Sequence, residues 1–205
     1  MKISSFAFLL IAPGLFFLPG CTGLDLLEPR EDLTRFYLFE SSLDPDQIEA
    51  LDPEGLRVHL GTGSLGKHLQ DSRLAIRTPG SNEIAYAEQH RWAEPLADGV
   101  ARVLLSRLSH NLGSSRVALQ RFAAGSKNDY LVGFHLHELG GKPGQTVRLH
   151  ASWWVQAWEE NEPVLHNTLL EESLDRGATS HAAFVKGLQQ LVEAWAVEIA
   201  ATLKP

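Results

Sequence analysis

Cysteine is almost missing from this chain: one among 205 residues. That excludes an intrachain disulfide framework and any cluster or structural zinc site needing several thiolates. Basic charge is scarce as well. Lys+Arg number 18 against 25 Asp+Glu, a formal net charge of −7, and such a chain lacks the basic surface that a nucleic-acid backbone demands. No uninterrupted apolar run approaches the about 20 residues of a membrane-crossing helix. The G-x-S-x-G, H-E-x-x-H and P-loop patterns are absent, and the carboxylates are scattered, none set in an apolar stretch that would raise its pKa. These absences leave no nucleophile, no cofactor and no enzyme class to assign.

What is present is an ordinary globular balance, 44% hydrophobic and 21% charged, at a length suited to one domain. The N-terminus is different in kind. Lys2 precedes the apolar run Phe6–Leu18, which suits a signal-peptide h-region and is broken by Pro13 and Gly14. Leu18-Pro19-Gly20-Cys21 follows, and it resembles a bacterial lipobox, with Pro19 the one departure. The expectation is a lipoprotein signal peptide over 1–20, with Cys21 as first mature residue carrying palmitate-type acyl chains on its sulfur and amine. Several chains anchor firmly where one anchors marginally. Thr22, not Asp, follows the cysteine, which resembles an outer-membrane address facing the periplasm. Residues 21–34 read as a short, acidic lipidated tether and 35–205 as a single domain.

Within that domain, Phe36–Phe39 reads as an edge strand, Ser41–Gly55 as a loop, and Leu56–Leu60, Arg73–Arg77 and Glu83–Glu88 as strands. Pro95, then Leu96, Val100, Val103, Leu104, Leu108 and Leu112, with Gly113 as the stop, predict a helix. Arg116–Arg121 is a further strand. Asp129–Leu139 and Thr146–Trp158 alternate as a hairpin, and pairing Leu136 with Leu149 keeps one face apolar. Pro163–Glu171 is the next strand. A closing helix over about Ser180–Leu203 carries the stripe Phe184, Leu188, Leu191, Val192, Trp195, Ile199 and Leu203. The expected fold is α+β, a two-layer sandwich of a mostly antiparallel sheet packed against two long helices.

Few residues stand out for chemistry. Gly61-Thr62-Gly63-Ser64-Leu65-Gly66 matches G-x-G-x-x-G, but residues 67–72 leave room for barely one turn, so a strand-to-strand loop is expected in place of a dinucleotide site. In the hairpin register above, His135 lies opposite His150, with His137 on the same face and Arg148 opposite it. Three imidazoles could bind zinc or copper, but the nearby Arg148 would repel a cation, and a solvated or partner-facing surface is the better reading. That face also holds Trp154 and Trp158 among polar residues, the composition of an interface or ligand surface. Arg91-Trp92-Ala93-Glu94-Pro95 reads as a helix entry, with Glu94 near the positive helix end and Trp92 packing the corner.

Leu74-Ala75-Ile76-Arg77, a turn, Ala85–Leu96 (AYAEQHRWAEPL) and an amphipathic helix together resemble the ABC-type transport auxiliary lipoproteins, the PqiC/YmbA-like group. The lipobox start, Phe36-Tyr37-Leu38 and the closing Ala/Leu-rich helix match in order. The resemblance implies an accessory role in envelope lipid traffic and not catalysis. It implies as partners an MCE-domain protein and an ABC-type permease/ATPase complex, with the outer-membrane bilayer reached through acylated Cys21. Candidate partner- or ligand-contacting residues are then Arg77, Arg91, Trp92, Trp154 and Trp158. The alternatives are a lipid-binding carrier domain or, with His135, His137 and His150, a metal-binding envelope protein.

Overall fold

Two runs of strict alternation dominate the architecture. Tyr130–Gly141 and Thr146–Ala157 form one long hairpin, and a third strand, Val164–Ser173, pairs antiparallel with the second of them. The computed structural model describes residues 31–40, 45–61, 63–78, 80–119, 129–177 and 179–203, and the folded unit spans Leu33–Pro205. The signal peptide expected over 1–20 and the lipidation site expected at Cys21 lie outside the described residues.

In chain order the elements are β1 (Arg35–Tyr37), α1 (Pro45–Glu49), β2 (Val58–Leu60), β3 (Ser64–Leu65), β4 (Arg73–Arg77), β5 (Ile84–Trp92), α2 (Leu96–Leu112), β6 (Val117–Ala118), β7 (Tyr130–Gly141), β8 (Thr146–Ala157), β9 (Val164–Ser173) and α3 (His181–Leu203). A 3₁₀ turn at Lys67–Leu69 separates β3 from β4. The expected loop over 41–55 therefore holds a short helix, and the loop over 61–71 holds a strand and a turn. Of the strand expected over Arg116–Arg121, Val117–Ala118 is formed, and residues 120–121 lie outside the described part.

The α+β class holds, but the mostly antiparallel single sheet does not. Among the described residues there are two mixed sheets. One has the order β1-β5-β4; the other has the order β6-β2-β7-β8-β9, with β3 also on β7. The pairs β1–β5, β2–β6, β2–β7 and β3–β7 are all parallel. Alternation along a short strand says which face is buried; it does not say which neighbour lies beside it or in which direction. Here β2 and β3 run one after the other along the same edge of β7. The Gly61 amide donates to the Val132 carbonyl between them.

The hairpin register also differs from the expectation. Leu136 pairs with Ala151, Phe134 with Trp153 and Val132 with Val155, and an irregularity between Leu136 and Glu138 leaves His137 without a direct partner. From Tyr130 to Leu136 the pairing has moved by two residues, which leaves those side chains on their expected face; beyond the irregularity it has moved by three, so Leu139 joins the buried face opposite Leu149 and Glu138 faces His150. Hydrophobic alternation cannot distinguish two registers related by an even shift. The turn and the bulge decide it. β7 runs on to Gly141, at φ +146°, where a Cβ would lie 2.0 Å from the Thr146 carbonyl oxygen.

Both long helices form as expected. Pro95 immediately precedes α2, its carbonyl accepting from the Asp98 amide, and Gly113 ends it at φ +64°. Ser180 caps α3, its Oγ accepting from the Ala183 amide at 3.2 Å. The whole predicted stripe of α3 is buried, between α2 and the inner face of the large sheet, where Phe134 meets Trp195 edge-on at 5.3 Å between ring centroids. Arg107 of α2 and Glu193 of α3 pair at 2.9 Å.

Candidate functional site

Two surfaces gather the residues singled out above. The first is a groove of about 570 Å³, lined by residues 63–65, 69–72 and 92–97. Its construction follows from the end of β5. Tyr37 pairs with Trp92, and the Ala93 amide donates to the Tyr37 carbonyl, so the chain leaves the sheet beside β1. Trp92 is 8% exposed and leans on Phe39, ring centroids 5.0 Å apart. Glu94 turns back along α2 and pairs with Arg102, whose other nitrogen donates to the Phe39 carbonyl at 2.7 Å. Trp92, Pro95 and Leu96 thus form an apolar wall, with Glu94 and Asp71 as acidic groups beside it.

Asp71 is held as an anion. A bidentate pairing with Arg73 brings its carboxyl down to about 2, and Arg91 adds to the positive field around it. The Nε of Arg91 is buried without a hydrogen-bond partner among the described residues. Arg77 lies elsewhere. It pairs with Glu138 at 2.9 Å and donates to the Ser81 carbonyl, away from this groove.

The second surface is the outer face of the large sheet. The structure does bring His135, His137 and His150 together, in a different arrangement from the one expected. Ring centroids lie 4.6 Å apart for His135 and His137 and 4.7 Å for His137 and His150. His135 is opposite Ser152, not His150; His150 faces Glu138; and Arg148 stands opposite Gly140, paired with Glu171. Two of the imidazole nitrogens have protein partners. His135 Nδ1 is 2.7 Å from Ser64 Oγ. The Ser152 hydroxyl donates to Asn167 Oδ1, so it accepts from His137 Nε2–H, both at 2.7 Å. Burial, then the neighbouring His135 and His150, push the His137 pKa below its ordinary 6.5. Among the described residues no group of three His, Cys, Asp or Glu is placed to hold a metal ion. Ser64 beside His135 has the distance of a nucleophile–base pair, but His135 packs edge-on against another imidazole where a catalytic triad places a carboxylate.

Trp154 and Trp158 separate in role. Trp154 is half-buried and lies flat over Gly133, where a Cβ would come within 2.4 Å of its ring. Trp158, beyond the end of β8, is 46% exposed. Sequence reasoning missed Ser64, Gln70 and Asp71 as groove residues, because nothing local in the loop signals that it will lie against the entry to α2.

Comparisons with known proteins agree with this architecture. A family model described as ABC-type transport auxiliary lipoprotein component matches residues 37–200. No curated protein matches the sequence. Among solved structures, an uncharacterized protein superposes with a TM-score of 0.67 at 18% identity, over 83% of this chain and 99% of its own. A Xanthomonas campestris protein of the DUF330 family superposes at 0.63 and 15% identity, over 83% and 95% of the two chains. At such identities the likeness speaks for the fold. The family match reaches from β1 through nearly all of α3 and includes the whole Arg91–Leu96 segment: this chain belongs to the ABC-type transport auxiliary lipoprotein component family.

Proposed function

We propose that the chain is a membrane-anchored periplasmic accessory lipoprotein of an MCE/ABC-type intermembrane lipid transport system. It acts by docking the periplasmic end of the transporter tunnel. Acyl chains on Cys21 hold it on the inner leaflet of the outer membrane, with residues 21–34 as tether and the signal over 1–20 removed. Anchoring raises the local concentration of the docking surface, so a modest contact is occupied. The observation that carries the reading is the placement of the family-matching Trp92–Leu96 segment as the wall of a solvent-open groove. Membership of a transport auxiliary lipoprotein family, which is not an enzyme class, supports a non-catalytic role.

A photo-crosslinking amino acid at Ala93 in the full chain, expressed in its native envelope, tests this. Crosslinks to an MCE-domain protein are expected, and a Cys21→Ala chain should be folded but released from membranes. Recovery of no transporter component, together with an unacylated Cys21 by mass spectrometry, would overturn the reading. The groove also favours a second reading, a lipid carrier, since its volume exceeds the roughly 300 Å³ lower bound of ligand pockets. The space between the sheet and the helices is filled by Phe134, Trp153 and Trp195, so any acyl chain would lie in the groove and not in the interior.

A further inference from the structure

Charge is spread unevenly along this chain. From Glu159 to Asp175 there are six carboxylates and no Lys or Arg. Glu159, Glu160 and Glu162 precede β9, while Glu171, Glu172 and Asp175 lie at its far end, and all six are exposed. Among the described residues only Glu171 of these is in an ion pair, with Arg148 of β8. The two acidic ends flank an apolar middle, where Val164, Leu165 and Leu169 are 54%, 75% and 64% exposed.

That middle is also a strand edge. β9 has 10 residues, contains neither Lys nor Pro, and pairs with β8 through an unbroken register. Among the described residues no strand lies on its other side. The Leu174 amide donates to the Gln145 carbonyl at 2.7 Å, one step beyond the Thr146–Ser173 pair. Along a strand, residues whose main-chain groups serve one neighbour alternate with those serving the other. Even-numbered residues of β9 therefore serve β8, while Leu165, Asn167, Leu169 and Glu171 turn their amides and carbonyls outward.

We infer that β9 is the docking edge for an extended segment of a different polypeptide, apolar at alternate positions and carrying Lys or Arg at both ends. Strand addition takes its affinity from main-chain hydrogen bonds and its specificity from side chains. The main-chain groups alone would accept any strand, and charge chooses among them. A second copy of β9 would set carboxylates against carboxylates, and an anionic membrane surface would be repelled in the same way. A strand basic at both ends meets the Glu162 end and the Glu172 end at once. Those ends are about 33 Å apart along an extended chain, so the docking segment has about ten residues. Its outward apolar side chains lie beside Leu165 and Leu169, continuing the row that Trp154 begins opposite Leu165. This edge shares no residue with the groove, and the inference stands independently of the transport role.

A capped, fluorescently labelled peptide of about ten residues, Val and Thr alternating between paired Lys at each end, tests this. Its anisotropy is read as the purified full chain in detergent is added. Saturable binding is expected, about tenfold or more tighter than for a twin peptide with Glu in place of Lys, and weakening as salt rises. Glu162→Lys combined with Glu172→Lys should reverse the preference, so that the Glu peptide binds better. Leu165→Thr combined with Leu169→Thr should weaken binding of the Lys peptide. These positions are exposed, and circular dichroism of each variant should match the native chain. Methylating one alternate set of the peptide's amides removes the donors that face β9 and should abolish binding. The inference is overturned by a Lys peptide that does not bind saturably or a Glu twin that binds equally well. A preference that the double charge reversal leaves unchanged would overturn it too, as would binding that survives methylation of either set, or a native dimer that the Lys peptide cannot separate.

Discussion

Gly63 carries more of the fold than its size suggests. A Cβ there would sit 2.0 Å from the ring of Phe134, which itself meets Trp195 in the core. Overpacking of this kind costs about 1–3 kcal/mol, so Gly63→Ala should lower the unfolding free energy by that much, read as a lower denaturation midpoint with an unchanged denaturant slope. A midpoint equal to that of the native chain would mean that Phe134 yields freely. The same residue shows how little of the groove was legible. Read locally, residues 61–66 are a glycine-rich loop, and the reason for glycine at 63 is an aromatic ring about seventy positions later in the chain. Arg91 and Trp92 were legible as a helix entry, because Pro95 and the apolar spacing after it are local signals. That Trp92 would wall a groove with Leu69 and Asp71 was not, because that contact depends on how β3 lies along β7.

Among the elements, α3 was the most legible. Its stripe repeats at helical spacing for its whole length, and every member of it is buried. Ser180 satisfies the Ala183 amide that would otherwise lack a partner. Ser180→Ala should cost about 1 kcal/mol, read as a lower thermal midpoint with helix content unchanged; an unaltered midpoint would show that another group takes over the cap. The β7–β8 hairpin was legible in its faces and not in its register. The faces follow from alternation as far as Leu136, and past the irregularity Leu139 takes the buried face and Glu138 the outer one. The register follows from the turn after Gly141 and the irregularity at His137, and neither has a signature in the hydrophobic pattern. The short strands were the least legible. Val58–Leu60 and Ser64–Leu65 are too brief to specify a partner, and their parallel places beside β7 are set by the loops that deliver them.

At the scale of the whole molecule, pH acts on stability from one side. His137 and His181 both titrate below their ordinary 6.5, each mainly through burial and then through neighbouring imidazoles; His90 stacks on His181 at 3.6 Å. The unfolded chain therefore binds protons more readily than the native one as pH falls below 6.5. Their contribution is complete above that value and declines as the medium acidifies. Asp71, lowered to about 2 by Arg73, adds a second loss between its ordinary 3.8 and about 2. The thermal midpoint should fall from pH 7.5 to pH 5.5, and His137→Gln should reduce the size of that fall. An equal fall in the variant would remove His137 from the account.

The family-matching order of segments, the two long helices, the buried stripes and the faces of the hairpin were determined by the sequence alone, since each is a local periodicity that one amphipathic element expresses wherever it packs. The two mixed sheets, the hairpin register, the grouping of the histidines with Ser64 and Ser152, and the groove beside Trp92 were decided by tertiary structure. Each of these depends on which distant backbone supplies the next hydrogen-bonding edge. No periodicity within a segment records its neighbour, and a pairing shifted by two residues leaves the same side chains facing inward.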